Sequence, residues 1–201
     1  MKNLFGVSVL ALSFMISSSA ALAQTKPAPT PTPEKLKLER VGKFDGNVKF
    51  PDVEGWTRSE KYQYPAPELG YSVTYESPAG RVTVYVYNAG FERIPNELTG
   101  PVNDQMLKAR EEIKAIVKQG AYDSSTEGKI ETVTFGGSAG KIKSLHTEFT
   151  IKAKGNDFDS ETYIFPYNDY FIKFRITRPK AVGKTEQLQE LMKALDALFS
   201  I

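Results

Sequence analysis

Hydrophobic positions change period along this chain, and each change marks an element. Leu4 to Ile16 is an almost unbroken apolar run, preceded by Lys2 and followed by the small residues of Ser17 to Ala23. That order predicts a secretory signal peptide over residues 1–23, cleaved after Ala21-Leu22-Ala23, with Ser18 and Ala20 offering a second cut three residues earlier. A bilayer span needs roughly 20 apolar residues, so the run is too short for a permanent anchor and no stable membrane insertion is expected after cleavage. Lys26 to Pro33 then alternates proline with small residues. Residues 24–42 therefore read as a Pro/Thr-rich disordered leader, held extended by its prolines, and residues 43–201 as a single domain.

Within that domain Val48 and Phe50 suggest a short strand before Pro51. Leu69, Tyr71, Val73 and Tyr75 alternate with Gly70, Ser72, Thr74 and Glu76, the period of a strand. Ser77-Pro78-Ala79-Gly80 supplies a turn, and the return strand carries Val82, Val84 and Val86 on one face with Thr83, Tyr85 and Tyr87 on the other. Neither face is plainly polar, which predicts a hairpin covered on both sides. From Asn103, a plausible N-cap, the period lengthens: Met106, Ala109, Ile113, Ile116 and Val117 share one helical face, Lys108 and Glu112 form an i,i+4 pair on the outer side, and Gly120 ends the helix.

A polar loop, Tyr122 to Gly128, leads to four strands, Ile130–Phe135, Lys141–Lys152, Phe158–Phe165 and Tyr170–Thr177. The connections between them are short enough for an antiparallel meander. The last pattern is an apolar stripe of Leu188, Leu191, Met192, Leu195, Leu198 and Phe199 on a helix from about Lys184. The fold class is therefore α+β: an antiparallel sheet with one helix inserted after the first hairpin and an amphipathic C-terminal helix, layered as an α/β/α sandwich. This element order resembles the PsbP-like fold of a photosystem II extrinsic subunit and many small exported bacterial proteins. The strand that opens after Phe135-Gly136-Gly137-Ser138-Ala139-Gly140 adds to the likeness. The resemblance spans about Phe50 to Phe199 and implies a non-enzymatic binding or assembly role.

Composition narrows the partners. The chain has 26 basic and 24 acidic residues, a balance that gives no reason to expect nucleic acid. It has no cysteine, which excludes disulfides, thiol nucleophiles and thiolate metal sites. Gly136-Gly137-Ser138-Ala139-Gly140 satisfies the G-x-S-x-G form of a hydrolase elbow, but that elbow turns from a strand into a helix. Here the following residues read as a strand, and the only histidine, His146, lies eight positions on, about 26 Å away at roughly 3.3 Å per residue. The same stretch is one residue too short for a phosphate loop.

Asp157, Asp159 and Glu161 lack the glycine and distant glutamate of a calcium loop and read as one solvated strand face. Ser144, His146 and Glu148 are expected to share that face with Asp159, Glu161, Lys173 and Arg175, making a mixed-charge surface stabilised by cross-strand pairs. A lone histidine is not expected to hold a structural zinc. Tyr62, Tyr64, Tyr71, Tyr75, Tyr85 and Tyr87 read as cross-strand packing, and the loop from Phe91 to Pro101 as the best place for recognition.

No catalytic, cofactor-binding or metal-ligating residue is assigned, and no cofactor is expected. The reading is a periplasmic or secreted, non-enzymatic binding or accessory module for an envelope protein or a small ligand. A small envelope hydrolase using Ser138, or Glu148, Asp159 and Glu161, and a small-ligand carrier are the alternatives.

Overall fold

The computed structural model describes residues 48–135 and 142–199. The expected signal peptide and leader, and Ser138, lie outside the described residues. Among those described, nine strands form one antiparallel sheet: β1 (Thr57–Arg58), β2 (Tyr62–Gln63), β3 (Tyr71–Ser77), β4 (Gly80–Tyr87), β5 (Ser124–Glu127), β6 (Glu131–Thr134), β7 (Lys143–Ala153), β8 (Asn156–Tyr167) and β9 (Tyr170–Pro179). They run in the order β1-β3-β4-β9-β8-β7-β5, with β2 beside β1 on the edge of β3 and β6 beside β5 on the edge of β7. Helix α1 (Pro101–Lys118) follows the first hairpin and α2 (Glu186–Phe199) closes the chain. This is the α+β sandwich that the alternating and helical periods predict.

The hairpin's valine face is its buried one. Val82, Val84 and Val86 pair with Ile176, Phe174 and Ile172 of β9, and this side is covered by Leu188, Leu191, Leu195 and Phe199 of α2. Leu198 and Met192 of the expected stripe pack at its margin. Across the sheet, Val102, Met106 and Ala109 of α1 cover Leu145, Ile164 and Phe171, and Ile113 meets Phe149 and Ile151. The two apolar stripes thus lie on opposite sides of one sheet.

Several expectations shift. Residues 48–53 are irregular rather than a strand, because their polar contacts go to side chains: the Val48 N–H donates to Tyr71 Oη at 3.2 Å and Tyr75 Oη donates to the Pro51 carbonyl at 2.8 Å. Helix α1 starts at Pro101 behind Gly100, not at Asn103. Proline suits the first helical turn, where its missing N–H leaves no helical bond unmade. Ile116 and Val117 are only half-buried. Glu112 turns from Lys108 to Lys173, 3.2 Å away on the sheet. The expected loop after Tyr122 contains β5, an edge strand too polar for its alternation to show.

Gly70 is required by the turn into β3. It has φ 59°, and a β-carbon there would lie 1.9 Å from the Val86 carbonyl oxygen. Gly70→Ala is expected to cost well over 1 kcal/mol, since the left-handed backbone and the carbonyl both exclude a side chain. A urea midpoint unchanged from wild type would refute this.

Candidate functional site

Strand register sorts the charged residues. Residues directly opposite in an antiparallel pair point to the same face. His146 sits opposite Tyr163, which sits opposite Phe174, and Glu148 sits opposite Glu161, which sits opposite Ile176. These are residues of the α2 side. Lys173 and Arg175 lie opposite Ile164 and Thr162, on the α1 side. The expected single charged face is therefore two: Ser144, His146, Glu148, Asp159 and Glu161 on one side, Lys173 and Arg175 on the other. The parity of β9 decides this, because Phe174 is buried and its neighbours must point away.

The α2-side group is not a wet face either. Ser144, His146 and Glu161 are all buried, with Glu161 only 3 % exposed, while Glu148 stays in solvent. Glu161 is the hub. Its Oε1 accepts from Arg178 Nη1 at 2.5 Å and lies 3.2 Å from Lys184 Nζ, and its Oε2 accepts from Tyr163 Oη at 2.7 Å. Arg178 is itself 5 % exposed and reaches Asp159 at 3.7 Å. Burial would push the Glu161 carboxyl up, but His146, Tyr163, Arg178 and the Lys184 charge together hold it well below the usual carboxylate range. Burial and that same carboxylate push the Tyr163 hydroxyl up.

His146 stacks on Tyr163 with ring centroids 4.4 Å apart, and its Nε2 lies 3.6 Å from Glu161 Oε2. That exceeds hydrogen-bond distance, and the nitrogen is buried without a partner. A cleft of about 120 Å³ lined by Gly128, Lys129, Glu131, His146 and Glu148 opens beside it. Arg178 and Lys184, the cations that make this cluster, were missed in the sequence because they sit 17 and 23 residues from Glu161. A basic residue at an inward position of a strand was the available signal for Arg178.

The α1 side is only partly covered. The helix lies over β5, β7 and β8, leaving the residues of β3, β4 and β9 half-exposed: Thr74, Thr83, Tyr85, Arg81 and Arg175. The expectation of a hairpin covered on both sides thus holds in full for the valine face, and on the other face for Ser72 and Tyr87. Lys173 lies over the Tyr85 ring at 4.6 Å and beside Glu112. Burial would lower its pKa, but the Glu112 carboxylate and Tyr87 more than offset this and hold it above the ordinary lysine value. Tyr87 is pushed up to about 12 by burial. Arg175 Nη2 donates to Tyr122 Oη at 2.8 Å, and no carboxylate lies within 4.0 Å of it among the described residues.

The remaining sequence candidates fall elsewhere. After the stretch containing Ser138 comes β7, a strand where a hydrolase elbow needs a helix. Tyr71 and Tyr75 are core residues, and Tyr62 packs edge-on to Tyr64 at 5.0 Å. The loop from Phe91 to Pro101 is pinned at Ile94, which is buried and whose N–H donates to Asp169. A larger cleft, about 570 Å³, opens between residues 48–52 and β1, with Lys49, Arg58, Lys61, Asp52 and Glu60 in its wall. No helix among the described residues is long and apolar enough to cross a membrane.

No protein-family model matches the sequence, and comparison with curated proteins gives no match. Among solved structures, the chain is similar to the solution structure of cyanobacterial PsbP (CyanoP) from Synechocystis sp. PCC 6803, with a TM-score of 0.50 at 10% identity over 85% of this chain and 98% of that one. At that identity the likeness is one of fold, and it agrees with the strand order and the two covering helices described above: the chain has a PsbP-like fold.

Proposed function

We propose that the protein is an exported, non-enzymatic binding or assembly module whose partner docks on the open half of the α1 side. The signal-peptide pattern of residues 1–23 supports export. The observation that carries the docking surface is Arg175, a half-buried cation with no carboxylate partner among the described residues. It is flanked by Thr83 and Thr162 on adjacent strands and hydrogen-bonded to Tyr122. Arginine and tyrosine are favoured at protein interfaces because each joins a large contact area to fixed hydrogen-bond donors. The surface is a broad, partly covered sheet face, which suits another protein better than a small molecule.

Affinity purification from envelope extract of the protein's host tests this. Wild-type protein is expected to retain a stoichiometric protein partner, and Arg175→Glu to lose it while keeping the wild-type circular dichroism spectrum. Retention by both proteins alike would move the interface elsewhere, and an absence of any partner would sink the module reading. The second reading, a small-ligand carrier, is favoured by the 570 Å³ cleft beside β1, whose volume falls in the range of small-molecule sites.

A further inference from the structure

We propose that His146, Glu148 and Glu161 form a binding site for a divalent transition-metal cation, zinc above all. This site lies on the opposite side of the sheet from Arg175 and does not depend on the docking surface. Three observations meet here. One donor atom from each of the three residues lies within 4.8 Å of the others. The His146 Nε2 atom is buried with no hydrogen-bond partner, although an unsatisfied buried nitrogen is costly. The cleft lined by His146, Glu148 and Glu131 gives an entry path from solvent.

The spacing suits a metal better than a hydrogen bond. Two ligands bound to zinc at about 2.0–2.2 Å and at the tetrahedral angle stand about 3.3–3.6 Å apart. His146 Nε2 and Glu161 Oε2 are 3.6 Å apart. Glu148 is exposed, so its side chain is free to turn toward the ion, and a water would complete the coordination. An imidazole with carboxylates selects zinc over calcium or magnesium, which prefer oxygen alone.

The competitor is Lys184. Its ammonium rests on both Glu161 oxygens, at 3.2 and 3.4 Å, while its side chain is 55 % exposed. Arg178, buried on Oε1, is fixed; Lys184 is free to leave. A zinc ion on Oε2 therefore displaces Lys184, and removing that lysine charge strengthens metal binding. A purely structural histidine would not produce that response.

Isothermal titration of the host-processed protein with zinc chloride, in phosphate-free buffer, tests the site. The expected result is one zinc per chain, with calcium chloride giving much weaker binding. Glu148→Gln, at an exposed position that leaves the fold intact, and His146→Gln should each weaken zinc binding at least about tenfold, and Lys184→Met should tighten it several-fold. Absence of zinc binding by the wild type would overturn the site, and so would zinc binding that either ligand variant leaves unchanged. Tighter calcium than zinc binding would overturn the assignment of His146 as a ligand.

Discussion

Glu161→Gln is expected to lower the unfolding free energy by about 3 kcal/mol at neutral pH. The substitution keeps the shape of the side chain but leaves Arg178 as a buried charge without its main partner. Breaking a buried pair from one side typically costs about 3–5 kcal/mol. The lower end applies because Asp159 remains 3.7 Å from Arg178 and Lys184 can turn to solvent.

The effect carries a pH signature. The Glu161 carboxyl is depressed when folded, below an ordinary value of 4.5. Its contribution is therefore complete above that value and drains away as acid protonates the folded group. The gap in stability between wild type and Glu161→Gln should be widest near neutral pH and shrink as pH falls from about 5 toward 2. Urea unfolding curves across that range measure it. A gap that stayed constant, or grew in acid, would show that the charge of Glu161 is not what holds the cluster.

Phe174→Ala is expected to cost about 4 kcal/mol, within the usual range for a buried phenylalanine. Phe174 is fully buried on β9, its ring centroid 4.4 Å from that of Phe135, 6.0 Å from Phe165 and 6.1 Å from Phe199 of α2. Its loss opens a cavity where sheet and helix meet, and it also loosens the packing behind Tyr163, whose ring meets Phe135 edge-on at 5.5 Å. Phe174→Leu should cost under about 1.5 kcal/mol, because most of the volume is kept. Chemical denaturation separates the two cases, and equal losses would mean that specific ring packing, not filled volume, sets the stability there.

How far the chain could be read depended on how much a residue's neighbours in sequence are also its neighbours in space. The valines of β4, the leucines of α2 and the turn glycines obey local rules, and their elements appear where the periods place them. β5 escaped because Ser124–Glu127 carries no apolar alternation: as an edge strand it meets a neighbour on one side only, and its side chains stay mostly in solvent. The charged face failed for a different reason. Alternation assigns residues to faces within each strand, but the phase between two strands is set by register. One position separates Arg175 beside solvent from Phe174 in the core.

By itself, then, the sequence determined the α+β class, the order of the elements that carry an apolar pattern and the main residues of both apolar stripes, because period and turn chemistry act over a few residues; the short polar strands β1, β2 and β5 carry no such pattern. Only the tertiary structure decided that Glu161 is buried with Arg178 and Lys184, that His146 faces it with an unpartnered nitrogen, and that Lys173 and Arg175 belong to the opposite side. Those facts rest on cross-strand register and on how much of each sheet face a helix covers, and both are settled by packing the whole core at once.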